Sequence, residues 1–396
     1  MFVHHKRMKK PLNTLVSLLL ALVVLLPMSL KGQNLSDLSF GTDSTFDVLT
    51  WNIEWFPKRG TATVDSVSKI IRSLEADLLA LQEIDDTNLC RQMINNLPDY
   101  GLFMDDVWFG GLAYVYNKRQ VTVNAIYKIY DTSPYWNIFP RSPLVIELSF
   151  QGERIIVINN HYKCCGDGIL VPGNPSDEEY RRYRANQLLK NYLDTHFASD
   201  QVILLGDLND LLTDASPNNV FEMFLVDTAR YLFADYGIAA GPVSQWSFPN
   251  WPSHLDHILI NQPLFSAFAQ AGSGVETLRI DDYMAGGFSN YDYYISDHRP
   301  VAMKLNFVPL TFDSWRNTRP LFAVYPNPSS GPTRVDLSPW EGALEVQVRD
   351  LKGRLIQSIP AKGKQSIAFQ IEGPPGMYLL QVRSSKGYTS QKLIKR

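Results

Sequence analysis

The chain has 396 residues, 45% of them hydrophobic, with a formal net charge of −3; that is enough to bury a large core and more than one domain. The charge is uneven: residues 33–320 carry 21 Lys+Arg against 35 Asp+Glu, a net −14, and residues 321–396 carry 11 against 5, a net +6. An acidic body excludes attraction of a polyanion over its whole surface, so any handling of nucleic acid needs a local patch and a bound cation.

The first segment is not part of the core. Charges at 5–10, a continuous apolar run at 15–26, Pro27 and a small-residue site near Gly32 have the layout of a secretory signal peptide cleaved between Gly32 and Gln33. The run is too short for a comfortable membrane span, and no stable span is expected. Residues 46–52 (FDVLTWN) alternate like a strand ending in Asn52, and Val64, Val67, Ile71 and Leu74 share one helix face. Residues 77–83 (DLLALQE) form a buried strand finishing on Glu83. After a loop come strands at 112–116 and 121–130, then Arg141 before Pro143, then strands at 144–150 and 154–160, the last running into His161. Ser176-Asp-Glu-Glu179 has the spacing of a capping box, and Ala185, Leu188, Leu189, Tyr192 and Leu193 make the buried stripe of the helix it opens. Arg181, Arg182, Arg184 and Lys190 read as the solvated face of that helix.

The helix leads into residues 202–209 (VILLGDLN), a short buried strand that Gly206-Asp207 ends abruptly. Asp207 and Asn209 face the same side if the chain stays extended; an Asx-turn closing a core strand is the plainer alternative. Residues 241–252 read as a long Pro- and aromatic-rich loop. His254-Leu-Asp256-His257 opens a strand at 258–261, and Ile295-Ser-Asp297-His298-Arg299-Pro300 opens one at 301–307. Adjacent strand positions face opposite ways, so with Asp256 aimed at a site, His254 and His257 are expected to be structural. Beyond a Pro-, Thr- and Arg-rich linker at 309–320, residues 321–396 show short strands between turns and no helical stripe, the pattern of a small all-β sandwich. Cys90, Cys164 and Cys165 permit at most one intrachain disulfide, a Cys164–Cys165 vicinal bridge being one option, and they lack a zinc spacing. They are expected to be structural.

Asn52, Glu83, His161, Asp207, Asn209, Asp256, Asp297 and His298 each sit at the edge of a strand-like run. Strands stacked in sheets could bring these edges to one mouth, where the residue types suit phosphodiester hydrolysis. Glu83, with Asn52 beside it or Asp297 opposite, offers hard oxygen ligands to Mg²⁺ or Mn²⁺, with Ca²⁺ a further candidate. His298 and Asp256 make a base or electrostatic pair. His161 and Asn209 can donate to phosphate oxygens, and Arg141 can clamp a neighbouring phosphate.

The ordered motifs Trp51-Asn52-Ile53, Gln82-Glu83, Asn160-His161, Gly206-Asp207-Leu208-Asn209, Leu255-Asp256-His257 and Ser296-Asp297-His298-Arg299-Pro300 resemble the endonuclease/exonuclease/phosphatase superfamily, the group of deoxyribonuclease-I and the apurinic endonucleases, over residues 46–307. The resemblance implies an α/β fold, a four-layered α/β sandwich of two packed β-sheets flanked by helices, with one divalent-metal site at its top. It matches Asn52 and Glu83 to the metal-site residues, and Asp207 and Asn209 to the pair binding the attacking water and the phosphate. Asp256 matches the acid that orients the histidine, and His298 that histidine. Arg141-Ser-Pro143 is similar to a phosphate-contacting Arg-x-Pro. Two positions depart: Phe109 stands where some members carry a tyrosine, and the glutamate that partners the histidine matching His161 is not evident near Tyr114. The run His161-Tyr-Lys-Cys-Cys-Gly-Asp-Gly168 resembles a subgroup of secreted bacterial members. In the tail, Val324-Tyr-Pro-Asn-Pro328, Val348-Arg-Asp-Leu-Lys-Gly-Arg354, Gly376-Met-Tyr378 and Lys392-Leu-Ile-Lys-Arg396 resemble the type IX secretion sorting domain, which implies passage through the outer-membrane secretion machinery.

The expectation is therefore a signal peptide at 1–32, a catalytic domain at 33–308, a linker at 309–320 and a sorting β-sandwich at 321–396. The chain is expected to be secreted, or held at the cell surface of a Gram-negative bacterium, by way of the periplasm. Its expected activity is metal-dependent cleavage of DNA or RNA. The rivals are a phospholipid, sphingomyelin or inositol-phosphate phosphohydrolase on the same site, and a non-enzymatic surface-binding protein.

Overall fold

Strands β1 (Phe46–Phe56) and β2 (Leu78–Ile84) are buried along most of their length, because each serves two cores at once. Phe46, Val48, Leu78 and Ala80 face inward to a core between two sheets, while Leu49, Trp51, Leu79 and Leu81 face outward against helices. The computed structural model that shows this describes residues 34–105, 110–307, 322–338, 343–350, 355–384 and 387–396. The expected signal peptide, the expected linker and Phe109 lie outside them.

The remaining strands of the first unit are β3 (Tyr100–Met104), β4 (Gly111–Asn117), β5 (Val121–Lys128), β6 (Leu144–Phe150), β7 (Glu153–His161), β8 (Gln201–Asp207), β9 (Tyr231–Phe233), β10 (Asp256–Asn261), β11 (Gly274–Thr277) and β12 (Val301–Leu305). They form two six-stranded sheets, β11-β12-β1-β2-β4-β3 and β5-β6-β7-β8-β10-β9. In each sheet one central pair is parallel, β1 with β2 and β7 with β8, and its other pairs are antiparallel. Helices α1 (Thr61–Leu74) and α2 (Thr87–Asn95) cover the outer face of the first sheet, and α3 (Glu178–His196) covers the second through Ala185, Leu189 and Leu193. Helix, sheet, sheet, helix is the expected four-layered sandwich. The parallel pairs bring the candidate residues to one edge: Asn52 stands in the C-terminal half of β1, and Glu83, His161 and Asp207 lie at the C-terminal ends of β2, β7 and β8.

Several local expectations need correction. The stretch expected as a loop after β2 holds α2 and β3. Asp177, not Ser176, caps α3, its carboxylate accepting from the Tyr180 amide at 2.7 Å. Arg182 is not solvated: it is buried, its Nε donating to Asp210 Oδ2 at 2.7 Å and its Nη2 3.2 Å from Glu179 Oε1. The chain does not stay extended past Asp207, because Asn209 adopts φ +54°.

The chain divides into two compact units, the first ending at Phe307 and the second starting at Val308. The second contains antiparallel strands β13 (Ala323–Tyr325), β14 (Thr333–Asp336), β15 (Ala343–Arg349), β16 (Leu355–Pro360), β17 (Ser366–Phe369), β18 (Gly376–Ser384) and β19 (Gly387–Lys395). They form sheets β13-β14-β17 and β16-β15-β18-β19, and Val335, Val346, Ile367, Leu380 and Leu393 share their core. No helix among the described residues is long and apolar enough to cross a membrane.

Candidate active site

Strand register builds half of the site directly. His161 pairs with Asp207 across β7 and β8, and Asp207 pairs with Asp256 across β8 and β10, so three candidate side chains stand in one row. Gly206 makes the row possible: it sits at φ +147°, and a Cβ there would collide with the Asn160 carbonyl. The first sheet supplies the facing half. Asn52 ends the regular pairing of β1 with β2, and Glu83 adopts φ +64°, swinging out of the β2 pleat. Asn52 Nδ2 then bridges the sheets, donating to Asp207 Oδ2 at 2.9 Å and to Glu83 Oε1 at 3.1 Å.

His298, just before β12, donates from Nδ1 to Asp256 Oδ2 at 2.7 Å, while its Nε2 points into the cleft, 3.8 Å from Asp207 Oδ2 and 4.0 Å from Asp297 Oδ1. Its backbone is fixed from three sides. The Tyr291 hydroxyl (2.6 Å) and Trp51 Nε1 (3.2 Å) donate to its carbonyl, and its amide donates to Ser296 Oγ at 2.9 Å. Burial alone would lower its pKa, but the charges of Asp256 and Asp207 and the bond to Asp256 reverse this and raise it to about 10. The ring is therefore an imidazolium at neutral pH.

Of the nine residues singled out from sequence, all but Asp256 and Arg141 line one cleft of about 430 Å³. Asp256 lies behind His298, fully buried, with Oδ1 unpartnered. Arg141 is outside the lining, its Nε donating to the Gly110 carbonyl at 3.1 Å. Its charge still reaches His161, whose pKa lies well below the usual value through burial first, then Arg141 and His298. His161 is thus neutral. Its Nδ1 is buried without a partner, in keeping with the missing glutamate, and its Nε2 lies 3.5 Å from Asp207 Oδ2, so the single N–H belongs on Nε2. Asp207 both closes a turn and faces the cleft. Oδ1 closes an Asx-turn on the Asn209 amide at 3.1 Å, and Oδ2 takes the site contacts.

The structure adds residues the sequence reading missed. Glu54 accepts from the Asp297 amide at 2.8 Å and pairs with Lys58, and the Phe248 ring packs 4.8 Å from the His298 ring. Strand alternation could not have placed Glu54, because the chain leaves regular pairing at Asn52 and Glu54 itself adopts φ +35°.

The donor set fits a divalent cation. Burial raises the Asp207 carboxyl to about 7; His298 and Asn52 oppose the rise, and Asp256 and Glu83 add to it. Asp297 and Glu54 are also raised, first by burial and then by neighbouring carboxylates. Oxygen-rich, negatively charged and under-compensated, the cleft is what a hard cation relieves. Two buried groups bring their ligand atoms within 4.8 Å of one another: Asp207, Asp256 and His298 beside the cleft, and Asp235, His254 and His257 away from it. The second does not suit a metal. His254 Nδ1 accepts from the Ser247 amide at 3.2 Å, so Nε2 carries the proton and gives it to Asp235 Oδ2. His257 faces acceptors on both nitrogens, Asp235 Oδ2 at 2.6 Å and the Asp210 carbonyl at 2.9 Å.

Residues 49–298 match the Endonuclease/Exonuclease/phosphatase family, and residues 323–396 match the Secretion system C-terminal sorting domain. No curated protein matches. Among solved structures the chain is similar to D. rerio TDP2 complexed with single strand DNA product, at 14% identity over 67% of this chain and 100% of that one, with TM-score 0.50. It is also similar to the endonuclease/exonuclease/phosphatase from Bacteroides vulgatus, at 15% identity over 66% and 98%, TM-score 0.47. The human Nocturnin catalytic domain with bound sulfate anion aligns at 17% identity over 67% and 95%, TM-score 0.45. At these identities the likeness is one of fold.

Proposed function

The chain belongs to the endonuclease/exonuclease/phosphatase family, whose members are metal-dependent phosphoesterases, and from that premise we propose that it is a nuclease that uses Mg²⁺ or Mn²⁺ to cleave DNA or RNA presented as a single strand. Its sorting domain marks it for export by type IX secretion to the cell surface or extracellular space, and implies engagement of that machinery.

The observation that carries the reading is Asp207, held between Asn52 of one sheet and the imidazolium of His298, with Glu83 alongside. Glu83, Asn52 and Asp297 would hold the cation, which supplies Lewis-acid polarisation of the phosphate. The chain's own groups do the rest. Asp207 takes a proton from the attacking water, and its carboxyl at about 7 is poised for that transfer. The Nε2–H of neutral His161 and the side-chain N–H of Asn209 that is not given to the Tyr162 carbonyl donate to phosphate oxygens. His298 Nε2–H faces charge developing on the leaving oxygen and delivers its proton there, while Asp256 holds the ring and balances the imidazolium.

The rim favours a single strand over a duplex. Duplex binding rests on many Lys and Arg contacts to phosphate, yet the body is strongly acidic, and Lys58 near the cleft is taken by Glu54 and Asp292. What the rim does offer is indole: Trp251 is 79% exposed and Trp55 46% exposed, both lining the cleft. Stacking of bases on aromatic rings is worth about 1–3 kcal/mol per base and tolerates any sequence. The test is a substrate panel of single-stranded DNA, plasmid duplex, RNA, sphingomyelin and inositol phosphates, with and without Mg²⁺. Turnover of single strands, lost on chelation and weakened by Trp251→Ala, is expected; turnover confined to sphingomyelin or inositol phosphates would overturn the nuclease reading.

A further inference from the structure

Beside the catalytic row, the loop that leaves β7 carries two consecutive cysteines whose role the hydrolytic chemistry does not use. Cys164 and Cys165 are both exposed free thiols, both line the cleft, and the Cys165 thiol donates to Cys164 Sγ at 2.8 Å. The loop around them is held with unusual completeness. Arg182 Nη1 donates to the carbonyls of Lys163 (2.8 Å) and Cys165 (2.7 Å), and Glu179 Oε1 accepts from the Gly168 amide at 2.7 Å. Gly166 sits at φ +112° against Glu179, where a Cβ would strike the carboxylate. The same buried Arg182 gives its Nε to Asp210, three residues beyond Asp207. The two sulfurs are therefore fixed side by side, on a segment joined through one guanidinium to the loop that carries the catalytic aspartate.

We propose that Cys164 and Cys165 are a thiol–disulfide couple, closed as a vicinal disulfide outside the cell, that stiffens the cleft wall and, through Arg182 and Asp210, the Asp207–Leu212 segment. Export removes the chain from the reducing pools that keep cytosolic thiols free. The step is an exchange with a disulfide-bearing oxidant. Cys164, 3.7 Å from the Lys163 ammonium, attacks as thiolate and forms a mixed disulfide, releasing one thiol. Cys165 then attacks Cys164 Sγ, the intramolecular bond forms, and the second thiol leaves. Two protons and two electrons pass from the pair to the oxidant. Adjacent Cα atoms lie about 3.8 Å apart, closer than the usual disulfide range, so the bridge is of the labile kind that reducing conditions reopen. The third cysteine does not compete: Cys90 is buried, its thiol pushed up to about 12 by that burial.

The test uses the purified full chain, incubated with oxidised glutathione, alkylated and mapped by mass spectrometry. The expected result is an unalkylated peptide holding Cys164 and Cys165, lighter by two hydrogens and restored by dithiothreitol. In Cys165→Ser the resolving thiol is gone, so Cys164 should instead retain glutathione. Amide hydrogen exchange, which needs no assumption about substrate, should slow severalfold on oxidation at 163–168 and at 207–212. Alkylation of both Cys164 and Cys165 after oxidation, or a disulfide-linked dimer, would overturn the couple. A disulfide that leaves exchange at 207–212 unchanged would overturn its link to the catalytic loop.

Discussion

Two histidine–aspartate clusters flank β10, one residue apart, and they have opposite accounts of their hydrogen bonds. Asp256 faces the cleft and His257 the other side, so the alternation of a single strand separates them. In the sealed cluster every valence is used: Asp235 Oδ1 takes the Ile258 amide at 2.8 Å, Oδ2 takes both rings, and His257 Nε2 gives to the Asp210 carbonyl. In the cleft cluster, among the described residues, Asp256 Oδ1 has no partner, and His298 Nε2 faces carboxylate oxygens at 3.8 and 4.0 Å. Both clusters are buried and both pair His with Asp, so neither burial nor pairing distinguishes a catalytic imidazole. What sets His298 apart, and makes it the candidate, is an unspent donor aimed at space where a reacting atom can sit.

The largest effect should come from the cleft pair. Asp256→Asn keeps the volume but can present an N–H to His298 Nδ1, selecting the wrong tautomer and removing the balancing charge. The expected loss in kcat/KM is about 10³–10⁴-fold, the scale on which an orienting carboxylate acts. Because both residues serve one proton, the double variant with His298→Ala should be little worse than either alone. Fully additive losses would show that the two work separately.

Next comes the uncompensated charge that sets the open cluster apart. Glu83→Gln removes an anionic oxygen beside Asp207 and should cost on the order of 100-fold or more in activity, with a higher Mg²⁺ requirement. Relief of carboxylate repulsion should leave thermal stability equal or raised, since such sites trade stability for function. An unchanged metal titration, or a marked fall in melting temperature, would remove Glu83 from the cation's environment.

The sealed cluster should answer in the other currency. Asp235→Asn leaves the His257 proton without its acceptor, and breaking one partner of a buried pair costs about 3–5 kcal/mol. Activity per folded molecule should stay within about tenfold of the parent, because His257 reaches the site only by supporting the Asp210 carbonyl. Equilibrium unfolding and active-site-normalised kinetics separate the two; an activity loss on the scale of Asp256→Asn would erase the distinction between the clusters.

The open cluster was legible in the sequence because its residues flank strands, visible as an apolar run that stops on Asn, Glu, His or Asp or starts just after Asp or His. The runs themselves gave buried strands alternating with amphipathic helices; the four-layered arrangement was implied by the family resemblance those motifs carry. What stayed hidden depended on distant partners. Arg182 reads as one charge in a basic run until Asp210 and Glu179 close around it. Glu54 is an unremarked strand residue until Asp297, 243 positions later, donates to it. Helix α2 buries only Cys90 and Met93, too little for a periodic signal, and is started by Asp86 accepting from the Asn88 and Leu89 amides. The Asp235 acceptor that makes His254 and His257 structural lies 19 and 22 residues upstream, on no recognisable motif.

The smallest effect expected is also the most specific to the sealed pair: the pH dependence of what Asp235 contributes. His257 is held above its ordinary pKa; burial opposes this, but the Asp235 charge and hydrogen bond more than offset it. A group raised on folding contributes fully below its unfolded value, near 6.5, and loses that contribution as pH climbs through the folded value. Asp235 is held below the ordinary carboxylate range; burial again opposes, and His257 and His254 prevail. Its contribution is complete above about 4 and declines as acid approaches the depressed value. The pair should therefore stabilise the fold most between about pH 4 and 6.5. In Asp235→Asn the buried His257 loses the anion that chiefly holds its proton, leaving only the weaker influence of Asp256 and the Asp210 carbonyl, so the variant gains far less from acid. The stability gap between parent and variant should be widest near pH 5–6 and narrow steadily as pH rises beyond about 6.5. Urea titrations at intervals between pH 5 and 9 read that gap directly. A gap independent of pH would mean that His257 is neutral in the parent, and the buried imidazolium inferred from its two acceptors would be wrong.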